Sequence, residues 1–302
     1  MKRTTLNTSC ICLLYICFIT SCTKSHLSQG TPTQMKLAHA SLESNSLEPL
    51  DATICENGQG VYIDANNKLN NNIWAATSSG AGSQCMWYQS SSGKWGVNAT
   101  HSSGTLQNIK GYPAIARGWL WYDSSGSIWV NNSDTSYPCQ LSQIETLRSS
   151  WNVTVPTNGE KYDTAYDLWL DPSSNPNYRA QYEIMIWINF QGPGYNSSNG
   201  DFSPVGTKIF SNISISGHVW DIYEGWNGSN NVMTFRRTTN TSSVTNLDIR
   251  SILYYAKNAT YGNNANFFNG QSVNLLGIQA GWEIIAGGSF TTNSYSTTLE
   301  KY

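Results

Sequence analysis

From residue 55 onward, apolar and polar residues alternate in short runs separated by clusters of Gly, Asn, Ser and Pro. Alternation with a period of two residues between turn-forming clusters is typical of antiparallel β-strands. The clearest runs are GVYIDANN, KWGVNAT, GWLWYD, YDLWLD, YEIMIWINF, HVWDIYEGW, NVMTFRR and LLGIQAGWEIIAGG. The pattern therefore predicts an all-β chain, folded as an antiparallel sandwich or jelly roll.

One segment departs from the β pattern. In residues 246–258, NLDIRSILYYAKN, apolar side chains recur three and four positions apart. This spacing is typical of an amphipathic helix with one buried face, so one helix is predicted to pack on a sheet. The predicted apolar face consists of Leu247, Ile249, Ile252, Leu253 and Ala256.

The run YEIMIWINF places one acidic residue, Glu183, among large apolar residues. Burying a carboxylate is costly unless it is paired, hydrogen-bonded or open to a wet cleft. In a strand, the odd-numbered residues from Glu183 to Asn189 share one face, and the three isoleucines between them share the other. The isoleucine face is predicted to be core. The opposite face, with Met185 and Trp187, is predicted to be the floor of a cleft; the alternative is a strand-end glutamate that simply reaches solvent.

Two further runs repeat this design. In TAYDLWLD, Asp167 and Trp169 share the face opposite an apolar stripe. Treated as one continuous strand, GIQAGWEIIAGG places Gln279 and Glu283 on one face and Ile278, Trp282 and Ile284 on the other. Three strands that each carry an acid opposite the core are expected to bring those acids together in one groove.

Composition and charge narrow the class of partner. Charged residues make up only 12% of the chain, and 17 Lys and Arg are scattered among 19 Asp and Glu. A nucleic-acid-binding protein normally carries a basic stripe, so nucleic acid is not expected as a partner. Abundant amide, hydroxyl and aromatic side chains suit a neutral, hydroxyl-rich ligand such as a sugar.

Motifs for other chemistries are missing from the sequence. The four histidines show no HExxH spacing, which argues against a zinc site. The chain contains no P-loop, no dinucleotide-binding fingerprint and no G-x-S-x-G motif. We therefore expect neither a metal nor a cofactor. Two carboxylates with indoles nearby instead match the requirements of glycoside hydrolysis.

The N-terminal residues are predicted to form a targeting signal. Two basic residues precede the apolar run CICLLYICFI, which is too short to span a bilayer, so residues 1–22 are predicted to be a signal peptide. The sequence ITSC resembles a bacterial lipobox that would make Cys22 a lipidated first residue; ordinary cleavage nearby is the alternative. Residues 23–51 are predicted to be a flexible leader and residues 52–302 the functional domain. The protein is thus expected to be secreted, or to be a cell-envelope lipoprotein.

Three cysteines, Cys55, Cys85 and Cys139, lie beyond these N-terminal segments, in a chain expected to reach a compartment that permits disulfides. A Cys55–Cys85 bridge would close a loop near the start of the domain and stabilise it by roughly 3 kcal/mol. Cys139 would then be unpaired, as a small buried apolar residue.

The runs YEIMIWINF and, about a hundred residues later, GIQAGWEII resemble the motifs of glycoside hydrolase family 12, the compact jelly-roll endoglucanases and xyloglucanases. The stretches NNNIWAA, AYDLW, SPVGT and VWDIYEGWNG follow in the family's order. The resemblance covers about residues 55–302. It implies a jelly-roll β-sandwich of two antiparallel sheets with a substrate cleft on the concave face, one packed helix and a monomeric enzyme.

By position, the resemblance implies that Glu183 is the nucleophile and Glu283 the general acid/base, with Asp167 as the acid that hydrogen-bonds the nucleophile. Cys55 and Cys85 match the family's N-terminal disulfide. The residues expected to contact substrate are Asn72, Trp74, Met185 and Trp187.

Two positions depart from the family's pattern. Ala75 stands where a glycine is common, and Ile285 stands where many bacterial members have an aromatic residue.

The resemblance implies an endo-acting cellulase that cleaves internal β-1,4-glucosidic bonds of cellulose-type or mixed-linkage β-glucan by double displacement. A xyloglucan-specific endoglucanase is the alternative within the family. A carbohydrate-binding sandwich without catalysis is the alternative from another class, because it would share the fold and the aromatic residues. Such a module would not need three converging acids.

Overall fold

The computed structural model describes residues 51–73, 82–102, 109–122, 128–131, 134–174, 180–192, 203–262 and 265–302. The predicted signal peptide with Cys22 and nearly all of the predicted leader lie outside these ranges. Trp74 and Ala75 also lie outside them, so the expectations for these residues stay predictions.

The described residues form β-strands joined by turns, with one α-helix. The first nine strands are β1 (Ala52–Ile54), β2 (Gly60–Tyr62), β3 (Asn67–Asn70), β4 (Gln84–Gln89), β5 (Lys94–Ala99), β6 (Ala114–Tyr122), β7 (Ile128–Asn131), β8 (Cys139–Gln140) and β9 (Ile144–Thr154). The remaining elements are β10 (Lys161–Asp171), β11 (Tyr182–Gln191), β12 (Thr207–Ile215), β13 (His218–Trp226), β14 (Asn231–Arg237), β15 (Ser243–Asp248), α1 (Ile249–Asn258), β16 (Asn274–Gly281), β17 (Ile284–Ala286) and β18 (Gly288–Lys301).

The strands form two sheets. The smaller sheet has the order β1-β4-β5-β18-β9-β15, and the larger has the order β12-β13-β14-β11-β10-β16-β6-β3-β2, with β17 on β10, β7 on β6 and β8 on β16. Strand pairing is antiparallel in both sheets except between β11 and β14, which run parallel. The exception arises because the chain passes from β11 to the edge strand β12 before it returns through β13 to β14. The predicted all-β, two-sheet fold is confirmed.

The core lies between the two sheets and is rich in aromatic rings. Trp151 of β9 packs against Tyr166 of β10 and against Trp282, with ring centroids 5.2 and 5.9 Å apart. Such contacts contribute about 0.5–1.5 kcal/mol each beyond the area they bury. The three isoleucines of β11 are fully buried on this side, as the alternation predicts.

Helix α1 confirms the predicted amphipathic segment but begins three residues later than the pattern suggests. Asp248 ends β15 and caps the helix, because its carboxylate accepts a hydrogen bond from Ser251 N at 3.1 Å. Leu247 belongs instead to β15, where it pairs with Ser149. The helix buries Ile249, Ile252, Leu253 and Ala256. None of the helical structure in the described ranges is long and apolar enough to cross a membrane.

The run GIQAGWEIIAGG is not one continuous strand, as the alternation predicted. Strand β16 ends at Gly281 and β17 begins at Ile284, which leaves Trp282 and Glu283 between them. The interruption arises because Trp282 N and Ile284 N donate to carbonyls of residues 113 and 111 rather than to β10. The predicted faces survive the break: Trp282 is fully buried in the core, and Glu283 lies on the side of Asp163.

The cysteines are arranged as predicted. Cys55 and Cys85 are joined by a disulfide. Cys139 is unpaired and buried, and burial raises the pKa of its thiol to about 11. A thiol that stays protonated is a poor nucleophile, so Cys139 is a packing residue.

Candidate active site

The central strands of the larger sheet bring the predicted acids together. In the β10–β11 ladder, Asp167 lies opposite Met185, and Trp169 lies opposite Glu183. On the other side of β10, Asp167 lies opposite Gln279 of β16. Paired residues in a ladder point to the same face, so Asp167 and Glu183 are diagonal neighbours on the face away from the core.

Glu183 is buried, with 5% of its surface exposed. Asn227, in the turn between β13 and β14, donates a hydrogen bond from Nδ2 to Glu183 Oε2 at 2.9 Å. Burial and then repulsion from Glu283 raise the pKa of Glu183 to about 8. The two glutamates, a hundred residues apart in the chain, therefore lie near enough for the charge of one to affect the other.

Asp167 is also buried, with 4% of its surface exposed. Burial, followed by the nearby charges of Glu183 and Glu283, raises its pKa well above the usual range. Its Oδ1 atom makes no hydrogen bond to any residue that the structure describes. These properties favour a neutral carboxyl group at Asp167; the hydrogen bond to Glu183 expected from the family stays a prediction.

A fourth acid, Asp163, holds Glu283. The main-chain N–H of Asp163 donates to Glu283 O at 3.1 Å, and the main-chain N–H of Glu283 donates to Asp163 Oδ1 at 3.3 Å. Burial raises the pKa of both carboxyl groups. A hydrogen bond between the two side chains raises the pKa of Asp163 further and lowers that of Glu283, as expected if protonated Asp163 is the donor.

The site therefore combines three buried carboxyl groups on β10 and β11 with a fourth, Glu283, held against Asp163, and the pKa of each is raised. Glycoside hydrolases use such a pair, one group as proton donor and one as nucleophile or base. The family model for glycosyl hydrolase family 12 matches residues 66–300. The chain belongs to glycosyl hydrolase family 12. The family predicted from the sequence is confirmed, and its members are endoglucanase-type enzymes that act on polysaccharides.

Individual family 12 proteins are similar over most of their length. The probable xyloglucan-specific endo-β-1,4-glucanase A of Aspergillus terreus is 30% identical over 245 residues, which cover 80% of this chain and 85% of that protein. The xyloglucan-specific endo-β-1,4-glucanase A of Emericella nidulans is 28% identical over 88% of this chain and 98% of its own. The crystal structure of a metagenome-derived family 12 endoglucanase superposes with a TM-score of 0.67 and 26% identity, over 84% of this chain and all of that one.

In this family 12 hydrolase, Tyr112 connects the acids to the predicted substrate-binding segment. Its hydroxyl donates to Ala165 O at 3.0 Å, and its main-chain N–H donates to Asn72 O at 2.8 Å. Burial, and then the charges of Asp167, Asp163 and Glu283, raise the pKa of its phenol well above the usual range. Tyr112 is therefore a neutral donor at any working pH, and it places Asn72 beside the site.

The expected cleft floor is more deeply buried than the alternation suggests. Met185 and Trp187 are 6% and 2% exposed and pack with Ala165, Val232 and Ile285 in an apolar cluster of their own. Ile285, the position that departs from the family pattern, helps to fill this cluster. The described part of the chain thus places both residues beneath the acids, and their contact with sugar stays a prediction.

Sequence reasoning missed two polar residues of this site, Asp163 and Asn227. Asp163 lies four residues before Asp167, so the period-two rule that selected Asp167 would also have placed Asp163 on the same face. Asn227 lies near the end of the family-like stretch VWDIYEGWNG and begins the loop-like run NGSNN, but neither pattern points to its contact with Glu183. Within the described ranges, no three His, Cys, Asp or Glu residues are placed to hold one metal ion.

Glu183→Gln is expected to stabilise the fold at neutral and alkaline pH. A group whose folded pKa is raised keeps its proton after the unfolded chain has lost it, so stability falls as pH rises from about 4.5 to about 8. The variant lacks this loss, because glutamine does not ionise. Its free energy of unfolding should match that of the wild type at pH 4 and exceed it by about 1–3 kcal/mol at pH 8.

Denaturant unfolding at a series of pH values measures this difference. Glu145→Gln, at an exposed position of β9, is the control for the removal of one carboxylate from the chain. A gap between Glu183→Gln and the wild type that is constant with pH would refute the assignment.

Asp163→Ala is expected to raise the pKa of Glu283, because it removes the hydrogen bond that favours the ionised form. If Glu283 is the proton donor, the high-pH limb of kcat/KM should move to higher pH by about one unit, as loss of one hydrogen bond to a charged group implies. Asp163→Asn keeps a side-chain donor and the oxygen that accepts from Glu283 N, so its limb should stay closer to that of the wild type. A limb that moves to lower pH in Asp163→Ala would contradict the pairing.

Proposed function

We propose that this chain is an endo-acting β-1,4-glucanase that retains the anomeric configuration, with Glu183 as the nucleophile and Glu283 as the general acid/base. The observation that carries the proposal is the placement of Glu183 next to Asp167 in the β10–β11 ladder, with Glu283 held by hydrogen bonds to Asp163 of the same β10 strand. Membership of family 12 supports the reaction class. A binding module would have no need to bury repelling carboxyl groups, because their burial destabilises the fold.

The reaction proceeds in two displacements. Ionised Glu183 attacks the anomeric carbon while protonated Glu283 gives its proton to the departing glycosidic oxygen, which leaves a covalent glycosyl-enzyme. Glu283, now ionised, removes a proton from water, and this water displaces Glu183 from the sugar. Each displacement inverts the anomeric centre, so the product keeps the β configuration.

The surroundings of the two glutamates support different protonation states. Carboxyl groups this close cannot all ionise, and buried Asp167 and Asp163 keep their protons most readily. A neutral Asp167 beside Glu183 adds no second charge. Glu183 receives an amide N–H from Asn227, which favours its ionised form, and the proposal assigns the transferable proton to Glu283.

Among β-1,4-glucans, we propose xyloglucan as the preferred polymer. The relatives in Aspergillus terreus and Emericella nidulans are named xyloglucan-specific endo-β-1,4-glucanases, and this favours a branched glucan over the unbranched substrates that the sequence alone placed first. Unbranched β-glucan is the second candidate, because the similar metagenome-derived structure is described as an endoglucanase.

The proposed place of action is outside the cell. The predicted signal peptide over residues 1–22 supports export, with lipidation at Cys22 as the alternative to full release. The Cys55–Cys85 disulfide agrees with an oxidising compartment.

Product chromatography with xyloglucan, mixed-linkage β-glucan and carboxymethylcellulose in parallel tests the activity. The wild type should release oligosaccharides of mixed length early, as an endo-acting enzyme does, with a kcat/KM for xyloglucan about tenfold above the others. Glu183→Ala is the control for contaminating activity. Retention of the protein on these polymers without any product would instead favour the non-catalytic sandwich.

Azide distinguishes the roles of the two glutamates. With Glu183→Ala, azide can occupy the vacated space and attack an activated β-glycoside directly, which gives an α-glycosyl azide. With Glu283→Ala, the first displacement should still proceed for leaving groups that need no proton, and azide should intercept the glycosyl-enzyme to give the β-azide. The same anomer from both variants, identified by NMR, would overturn the assignment.

A further inference from the structure

The turn between β13 and β14 holds the amide of Asn227 in one orientation. Asn227 Oδ1 accepts hydrogen bonds from the main-chain N–H groups of Ser229 at 2.9 Å and Asn230 at 2.8 Å. An atom that accepts two N–H groups must be the amide oxygen, so the other terminal atom of the side chain is the NH₂ nitrogen. This nitrogen points at Glu183 Oε2. The direction of the Asn227–Glu183 hydrogen bond is therefore set by the turn itself.

The same turn is attached to the start of the nucleophile strand. Asn230 is buried, and its Nδ2 donates to Ala180 O, two residues before β11 begins. Asn231 N donates to Gln181 O at 3.1 Å, where the parallel pairing of β14 with β11 starts. The turn thus contacts the main chain before Glu183 and the side chain of Glu183 together, so the two cannot shift independently.

We propose that Asn227 is the positioning residue of the nucleophile: its amide holds Glu183 Oε2 so that the other carboxylate oxygen is directed at the anomeric carbon. This inference rests on the proposed function of Glu183. The donor stabilises a carboxylate more than a glycosyl ester, so it keeps Glu183 ionised before the first displacement and helps it to leave in the second.

A purely structural role for Asn227 would require a different atom of its side chain from the one that positioning requires. The turn needs only Oδ1, whereas positioning needs Nδ2. Asn227→Asp preserves the shape and the acceptor and replaces only the donor, with a carboxylate oxygen 2.9 Å from Glu183. This substitution therefore separates the two roles.

The test compares Asn227→Asp, Asn227→Ala and the wild type between pH 4 and pH 8, with soluble β-glucan and with an aryl β-cellobioside whose leaving group needs no proton. Asn158→Asp is the matched control, since Asn158 is exposed and also precedes a glycine. Asn227→Asp should lose about 100-fold in kcat/KM at pH 7, with KM changed less than kcat, and its melting temperature should be close to that of the wild type at pH 4. Part of the loss should be recovered at low pH, where a protonated aspartate can again donate.

Asn227→Ala provides an independent readout that does not depend on the aspartate variant folding. Loss of the donor should move the low-pH limb of kcat/KM for the aryl glycoside to higher pH and let the glycosyl-enzyme accumulate, seen as a burst of phenol. Activity of Asn227→Asp within about twofold of the wild type at pH 7, or an unshifted limb in Asn227→Ala, would overturn the proposal. A wild type that cleaves no β-glucan would refute the proposed function itself.

Discussion

Mutual repulsion among four neighbouring carboxyl groups is the constraint on which the site depends. Asp163, Asp167 and Glu183 are buried on strands of the larger sheet, Glu283 lies beside them between β16 and β17, and desolvation raises the pKa of each. The arrangement destabilises the folded chain whenever more than one of the groups ionises. It persists because the rest of the sandwich holds the strands so firmly that the groups cannot separate. Function here is obtained at the expense of stability, as is common in active sites.

Strand β10 contributes one face to the hydrophobic core, which stabilises the fold, and the other face to the acidic site, which destabilises it. Its even-numbered residues, including Tyr166 and Leu168, are fully buried between the sheets, and its odd-numbered residues include Asp163 and Asp167. Trp151 packs on Tyr166 from the smaller sheet, so the strand cannot tilt away from the acids on its other face without losing aromatic contacts. The rigidity that a catalytic site requires thus comes from the core-facing side of β10, which is closed to substrate.

Features that depend on residues close together in the chain could be predicted from the sequence, and features that depend on residues far apart in the chain could not. Period-two alternation placed Glu183 and Asp167 on one face correctly, because the face of a strand residue is a local property. The break before β17 and the contact between Asp163 and Glu283 were not predictable in this way, since both depend on hydrogen bonds between residues far apart in the chain, 120 positions for Asp163 and Glu283. Helix α1 was recognisable from its apolar spacing, but its first residue was set by the cap at Asp248.

Asn227 shows most clearly why a loop in the sequence can be part of an active site. Glycine at position 228, with φ of 94°, lets the chain reverse directly after the asparagine, so the side chain stays at the end of β13 instead of trailing into solvent. Parallel pairing of β14 with β11 then carries this turn to the first residues of the nucleophile strand. A hairpin joined to β11 in an antiparallel manner would present its other end to Glu183. The one parallel pairing among the described strands is therefore what brings an amide donor to Glu183, and the topology of the sheet, rather than any motif around Glu183, determines that contact.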